Sequence, residues 1–438
     1  MREKKFWEKS IVFFLAFIFL SSSLTIVISS NQISGSTKDL PAAKSVDMIV
    51  ENSMFRRMSV REFTDEPVSD LDLATVLWAA YGLRTDETHT VAAINQTHAA
   101  VIYVFTTDAV YSYNPELHSL DVYLEGDHRS EIDILQYDAP VQLGLCWNTS
   151  LASPNQAGME LGAIGQNIQF MANALGLGTV VTGQIPPAIK PVGIPADEQG
   201  MIIMPLGHPE NEYDFVKRPL WISPMPLVKA STMNLSTALQ EIGEGDDFST
   251  PLTDQEFSQV IWSTYGFSPL VDKSSQEPVD LKRHRTVPSA HGYYPLDIYV
   301  ASADGIYKYY PNVLIELFSF ISAPVDRLGF PVISFMKKVS DEDIRIDLSQ
   351  RFDHNEVSTA STVIIPVLNL NKAKELSVDS AQRFWYYEAG AVAQNVLLET
   401  ASWDLSTQII YPIDTNEVRS LLNLNEDMIP QVLLPVGS

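Results

Sequence analysis

One cysteine, Cys146, stands among 438 residues, which excludes an intramolecular disulfide and any cysteine-based metal site. Basic residues are scarce too: 29 Lys and Arg face 54 Asp and Glu, a net charge of −25 that excludes a nucleic-acid surface. Low-complexity tracts are absent, no Ser-His-Asp triad stands out, and no metal site is expected. Long apolar runs are confined to the N-terminus, where Ile11–Leu20 continues after Ser21–Ser23 as Leu24–Ile28. Arg2, Lys4, Lys5 and Lys9 precede that run, so residues 1–30 read as a signal peptide or membrane anchor and 31–44 as a linker. Basic residues on the near side place the rest of the chain outside the membrane, an extracytoplasmic location. An apolar content of 45% with 10% aromatics is that of a globular protein with room for two ordinary domains.

What is present is written twice. Leu73–Leu83 (LATVLWAAYGL) recurs as Phe257–Phe267 (FSQVIWSTYGF), and Val101–Pro115 (VIYVFTTDAVYSYNP) as Asp297–Pro311 (DIYVASADGIYKYYP). Glu160–Asn167 (ELGAIGQN) returns as Glu388–Asn395 (EAGAVAQN), and Pro205–Gly207 as Pro435–Gly437. Repeats in one order report architecture before chemistry. The chain reads as repeat 1 over 45–219, a Pro-rich crossing at 220–230, and repeat 2 over 231–438 with an insertion at about 313–352. Within each copy the order is helix, strand pair, strand, helix, strand. Leu71–Tyr81 carries three-to-four apolar spacing and a Ser69 cap, Ala100–Phe105 with Val110–Tyr113 makes a hairpin, and Gly158–Leu175 is a long buried helix.

The two copies differ where chemistry would sit. Phe55–Phe63 (FRRMSVREF) sets Arg56, Arg57, Ser59 and Arg61 together, and guanidinium groups with a hydroxyl suit a phosphate. Repeat 2 has EIGEGDDF before its Phe257 helix. Repeat 2 instead has Arg285–Gly292 (RTVPSAHG), where Pro288, Ser289 and Ala290 form a turn with exposed backbone donors. The same register of repeat 1 reads His89-Thr-Val-Ala92-Ala93-Ile94. Repeat 1 keeps Gly176, Gly178 and Gly183, which allow close backbone approach to a ligand, where repeat 2 has Asp404 and Ser406 near the matching positions.

These residues resemble the nitroreductase family of flavoenzymes, especially its SagB-type azoline-dehydrogenase branch. The resemblance rests on Arg-x-Ser-x-Arg-x-Phe, on Arg-Thr-x-Pro-Ser-Ala before Tyr-Pro-x-x-Ile-Tyr-Val, and on Glu-Ala-Gly-x-x-x-Gln-Asn. It implies an α+β fold: two tandem domains, each a central antiparallel or mixed sheet flanked by helices, forming an intramolecular pseudo-dimer. It implies one FMN in a composite site, with Arg57, Ser59 and Arg61 on the phosphate and Lys217 or Arg218 assisting. Gly178, Thr182 and Gly183 would lie near the ring, and Arg285, Pro288, Ser289 and Ala290 would reach across from repeat 2. His291 is the candidate substrate-side proton donor. That branch carries a Lys-Tyr pair shortly before its Glu-Ala-Gly helix; this chain has Leu376 and Ser377 there. The expected activity is an FMN-dependent oxidoreductase acting on a small molecule or peptide, with no obligate homodimer. The alternative is a flavin-free binding scaffold at the cell surface.

Overall fold

The computed structural model describes residues 36–438, apart from 133–136, 183–188, 190–191, 212, 218–220, 244, 246, 274–281, 314–331 and 374–381. The N-terminal segment, Gly183, Arg218, Leu376 and Ser377 therefore lie outside the described residues. No described helix is long and apolar enough to cross a membrane.

Each half builds one sheet with helices against it. In the first half the strands are β1 (Thr37–Asp39), β2 (Ala100–Phe105), β3 (Ala109–Asn114), β4 (Ser119–Glu125), β5 (Val141–Asn148), β6 (Gly178–Thr179) and β7 (Glu198–Gly207), ordered β1-β4-β3-β2-β5-β7-β6. Between the two sheets come β8 (Tyr213–Lys217), β9 (Trp221–Ile222), β10 (Phe267–Lys273) and β11 (Lys282–Arg285). The second sheet contains β12 (Leu296–Ser302), β13 (Gly305–Tyr310), β15 (Phe335–Ser340), β16 (Thr362–Asn369), β17 (Ser406–Thr407) and β19 (Leu434–Gly437), ordered β15-β13-β12-β16-β19-β17. Two short strands complete the set: β14 (Val332–Ile333) runs parallel to β9, and β18 (Met428–Pro430) pairs with β16. The two orders correspond strand for strand, apart from β1 and β18. Even the register repeats: Tyr103 faces Ser112 in the first hairpin and Tyr299 faces Lys308 in the second.

The main helices are α1 (Val50–Arg56), α2 (Asp70–Tyr81), α3 (Pro154–Ala174), α4 (Leu235–Glu241), α5 (Asp254–Tyr265), α6 (Arg345–Phe352) and α7 (Gln382–Ser402). Local signals start them where they begin. Ser69 caps α2 by accepting the Asp72 N–H, and Ser153 with Gln156 forms a capping box on α3 beside Pro154 at its first position. Helices α3 and α7 have the same length of 21 residues and lie against each other at the centre.

That crossing needs glycine. A Cβ on Gly162 would fall 2.0 Å from the Tyr387 carbonyl oxygen, and one on Gly390 would fall 1.9 Å from that of Met159. Polar side chains then tie the halves together. Gln166 donates to Asn395 and to the Thr286 carbonyl, both at 2.7 Å. Gln394 donates to Asn167 at 3.0 Å and to the Thr90 carbonyl at 3.3 Å. These bonds are buried and fully exchanged between the copies, so the halves close on a pseudo-two-fold axis as one core.

Three boundaries differ from the sequence reading. Strand β1 lies inside the stretch expected as linker, where Thr37 to Asp39 pair with Asp121 to Ser119 of β4. Strand β15 pairs with β13 as β4 pairs with β3, and Arg345 clamps Asp343 as Arg129 clamps Asp127. Residues 335–345 thus have counterparts in the first half, and the additional chain falls in sequence between β13 and β15, where the first half has only residues 115–118. Finally, β8 leaves the first half and pairs with β10 of the second, with Lys217 opposite Leu270.

Candidate functional site

Helix α1 ends at Arg56, and the next residue turns its side chain into the protein. Arg57 is 1% exposed. Its Nε–H donates to the Arg285 carbonyl at 3.0 Å and one terminal N–H donates to Gln169 Oε1 on α3 at 2.8 Å. One guanidinium therefore joins both halves. Among the described residues no carboxylate lies within ion-pair distance of it. Burial pushes its pKa down, while Tyr294, Tyr387 and Glu388 work the other way. A buried cation held only by neutral acceptors costs free energy until an anion arrives.

Arg285 continues the cluster from β11. Its guanidinium lies 4.6 Å from the Tyr265 ring centre, 4.8 Å from Phe267 and 4.4 Å from Tyr294, a box of three aromatic faces. Behind it sits Glu388 on α7, 3% exposed. Glu388 accepts the Tyr265 hydroxyl and, at 2.7 Å, the Ser289 hydroxyl. Ser289 Oγ in turn accepts the Tyr294 N–H at 2.9 Å. Burial raises the Glu388 pKa to about 7, against the pull of its hydrogen bonds and of Arg285 and Arg57.

The pseudo-equivalent half repeats this frame with other residues. His89 replaces Arg285 and stacks on Tyr81 at 4.2 Å; His98 replaces Tyr294 and meets Tyr81 edge-on at 5.8 Å, as Tyr294 meets Tyr265. Glu160 replaces Glu388 and holds Tyr81, His98 and the Ala99 N–H. The packing of Val60 against Gly178 matches that of Gly245 against Ser406, which fixes the register. Arg57, Ser59 and Arg61 then correspond to Ile242, Glu244 and Asp246, the last two outside the described residues. Arg57, Ser59 and Arg61 are thus each replaced by an apolar or acidic residue in the other copy.

The expected site residues divide accordingly. Arg57 donates to the Arg285 carbonyl across the halves and Ser289 donates to Glu388, with Pro288 buried and Ala290 half-buried in the same turn. Ser59 is half-buried, and exposed Arg61 directs a terminal N–H at the Ser59 carbonyl at 3.5 Å. Arg56 departs from the set: it is exposed and lines an open cleft with Lys44 and Asn52. Gly178 makes room for Val60, whose side chain a Cβ would meet at 2.6 Å, and thus serves packing. Thr182 commits its hydroxyl to the Ile203 carbonyl at 2.6 Å. Lys217 is placed by its backbone on β8. His291 is exposed, left-handed at φ 54°, and stacked on Tyr293 at 5.5 Å.

Sequence reasoning missed Gln169, Tyr265, Tyr387 and Glu388. The signal for Glu388 lay in the repeated ELG and EAG motif, read as architecture alone.

Comparison with known proteins agrees with this doubling. The nitroreductase family model matches residues 54–208 and again 249–438. A protein of Methanocaldococcus jannaschii named as a nitroreductase is 30% identical over 196 residues, 43% of this chain and 82% of that protein. A solved structure from Anabaena variabilis, also named as a nitroreductase, shares the fold with a TM-score of 0.63 at 13% identity over 92% of this chain and 93% of its own. A Desulfovibrio desulfuricans nitroreductase solved in complex with FMN is 23% identical, with a TM-score of 0.28 over 39% of this chain and 92% of its own. With two consecutive family matches spanning most of its length, this chain belongs to the nitroreductase family of oxidoreductases.

Proposed function

We propose that the chain is an FMN-dependent oxidoreductase with one flavin site made by both repeats, moving hydride or electrons to or from a small molecule or peptide. The observation that carries this reading is the sorting of pseudo-equivalent positions: the cationic cluster survives only in repeat 1 and the Pro-Ser turn only in repeat 2, and Arg57 joins the two. The residues fit the cofactor. Nε2 of Gln169, Nε of Arg285, Oγ1 of Thr286 and Oη of Tyr387 are buried without a protein partner, a set of donors suited to a group rich in acceptor oxygens. Arg57, Ser59 and Arg61, assisted by Lys217 or Arg218, would hold the phosphate. Thr182 and Gly183 would border the ring, and Pro288, Ser289 and Ala290 would close it from repeat 2. Bound FMN supplies the hydride chemistry. The chain supplies a cation in a water-excluded setting, where charge is felt most strongly, and His291 at the turn as a proton donor toward substrate.

The finer readings follow from the same premise. The chain is a fused pseudo-dimer of the SagB-type branch that needs no second copy, and it works outside the cytoplasm, held by its N-terminal segment if that segment is uncleaved. A flavin-free scaffold is the second reading. It is favoured by Arg57 and Ser289 already holding protein partners. Reconstituting the purified chain with FMN, desalting and recording the visible spectrum separates the two. Retained flavin that disappears in Arg57→Ala with Arg61→Ala supports the enzyme; a colourless chain supports the scaffold.

A further inference from the structure

The hydroxyl of Ser289 has one proton, and that proton points at Glu388. One Oγ lone pair is occupied by the Tyr294 N–H. While Glu388 is ionised, the Ser289 hydroxyl therefore offers its surroundings only a lone pair. A proton taken from solvent by Glu388 reverses this: the carboxyl donates to Ser289 Oγ, and the serine O–H rotates outward as a donor. We propose that Glu388 is a proton-storing positioning residue, which sets through Ser289 whether the Pro288–Ala290 turn presents a donor or an acceptor to the flavin site.

The proposal rests on the flavin reading above and adds a linkage to it. The groups facing Glu388 are Tyr265 from α5, Ser289 from the turn, Arg285 from β11 and Arg57 beyond α1. The two arginines favour the carboxylate, while burial favours the acid, and the balance falls at about 7. A ligand rich in anionic and carbonyl oxygens shifts that balance. It takes up the field of Arg57 and rewards an outward hydroxyl, so binding raises the proton affinity of Glu388. In the other copy Ala93 stands where Ser289 does, and Glu160 is held by Tyr81, His98 and the Ala99 N–H, leaving no serine hydroxyl to turn.

Two measurements on the full chain test it. Infrared difference spectra across about pH 5 to 9 follow the carbonyl stretch of a protonated carboxyl, with and without FMN. We expect one buried carboxyl titrating near neutrality in the flavin-free chain, moving to higher pH with FMN, and absent in Glu388→Gln. Fluorescence titration with FMN then gives affinity against pH. Affinity should fall about five-fold or more from about pH 6 to 8 in the wild type and by less than about two-fold in Glu388→Gln. Ser289→Ala, which keeps Glu388 and its bond to Tyr265, should retain the carboxyl titration and show a smaller shift with FMN, because only the Arg57 contribution remains. A wild-type and Glu388→Gln pH dependence that coincide, or a Ser289→Ala chain whose carboxyl shifts with FMN as far as the wild type's, overturns the proposal. A carboxyl that titrates as expected in a chain that binds no FMN overturns the flavin reading and, with it, the linkage.

Discussion

Arg57 is the residue on which fold and function pull in different directions. Its hydrogen bonds to the Arg285 carbonyl and Gln169 stabilise the boundary between the halves, while burying an unpaired guanidinium opposes them. Replacement by methionine removes both effects, so Arg57→Met should unfold within about 1 kcal/mol of the wild type while losing on the order of 10- to 100-fold in FMN affinity. Thermal unfolding alongside flavin titration checks both, and a variant that loses stability but keeps flavin would assign Arg57 to the fold alone. A second residue-scale prediction concerns Glu399, which is fully buried on α7 near Glu51 and receives the Gln259 amide at 2.8 Å. Burial first, and the Glu51 carboxylate second, push its pKa well up. The folded chain thus holds a proton that the unfolded chain releases above about pH 4.3. That contribution is full below this value and is lost as pH rises. Glu399→Gln should therefore gain in urea midpoint over the wild type, by more at about pH 8 than at about pH 5.

Among the elements, the helix pair α3 and α7 was legible before any coordinates, because Glu-x-Gly and Gln-Asn recur at one spacing in both copies. What those letters do was not legible. Gln166, Asn167, Gln394 and Asn395 exchange bonds across the axis, and Gly162 and Gly390 let two backbones touch, facts that depend on the partner helix and leave no local pattern. The hairpins β2–β3 and β12–β13 could be read because the same strand pair recurs in both copies, whereas β1 has three residues and takes its register wholly from β4. Strand β8 was hidden for the same reason: its partner β10 lies in the other half. Gly162→Ala and Gly390→Ala each drive a methyl into a carbonyl, so each should cost about 3 kcal/mol in urea unfolding. Losses of similar size at both positions are the signature of a two-fold crossing; tolerance of either would mean the helices are free to separate.

In the molecule as a whole, two copies of one fold carry different residues at equivalent positions. The paired central helices exchange matching hydrogen bonds, yet one boundary gathers Arg57, Arg285, Ser289 and Glu388, while the other copy has His89, His98 and Glu160, with Ile242 at the position of Arg57. The flavin:chain ratio after reconstitution, taken from the visible spectrum and a protein assay, tests this most directly. One FMN per chain is the expected result. Two would show that the second boundary still binds cofactor despite its altered residues, and none would leave the nitroreductase fold here as a scaffold.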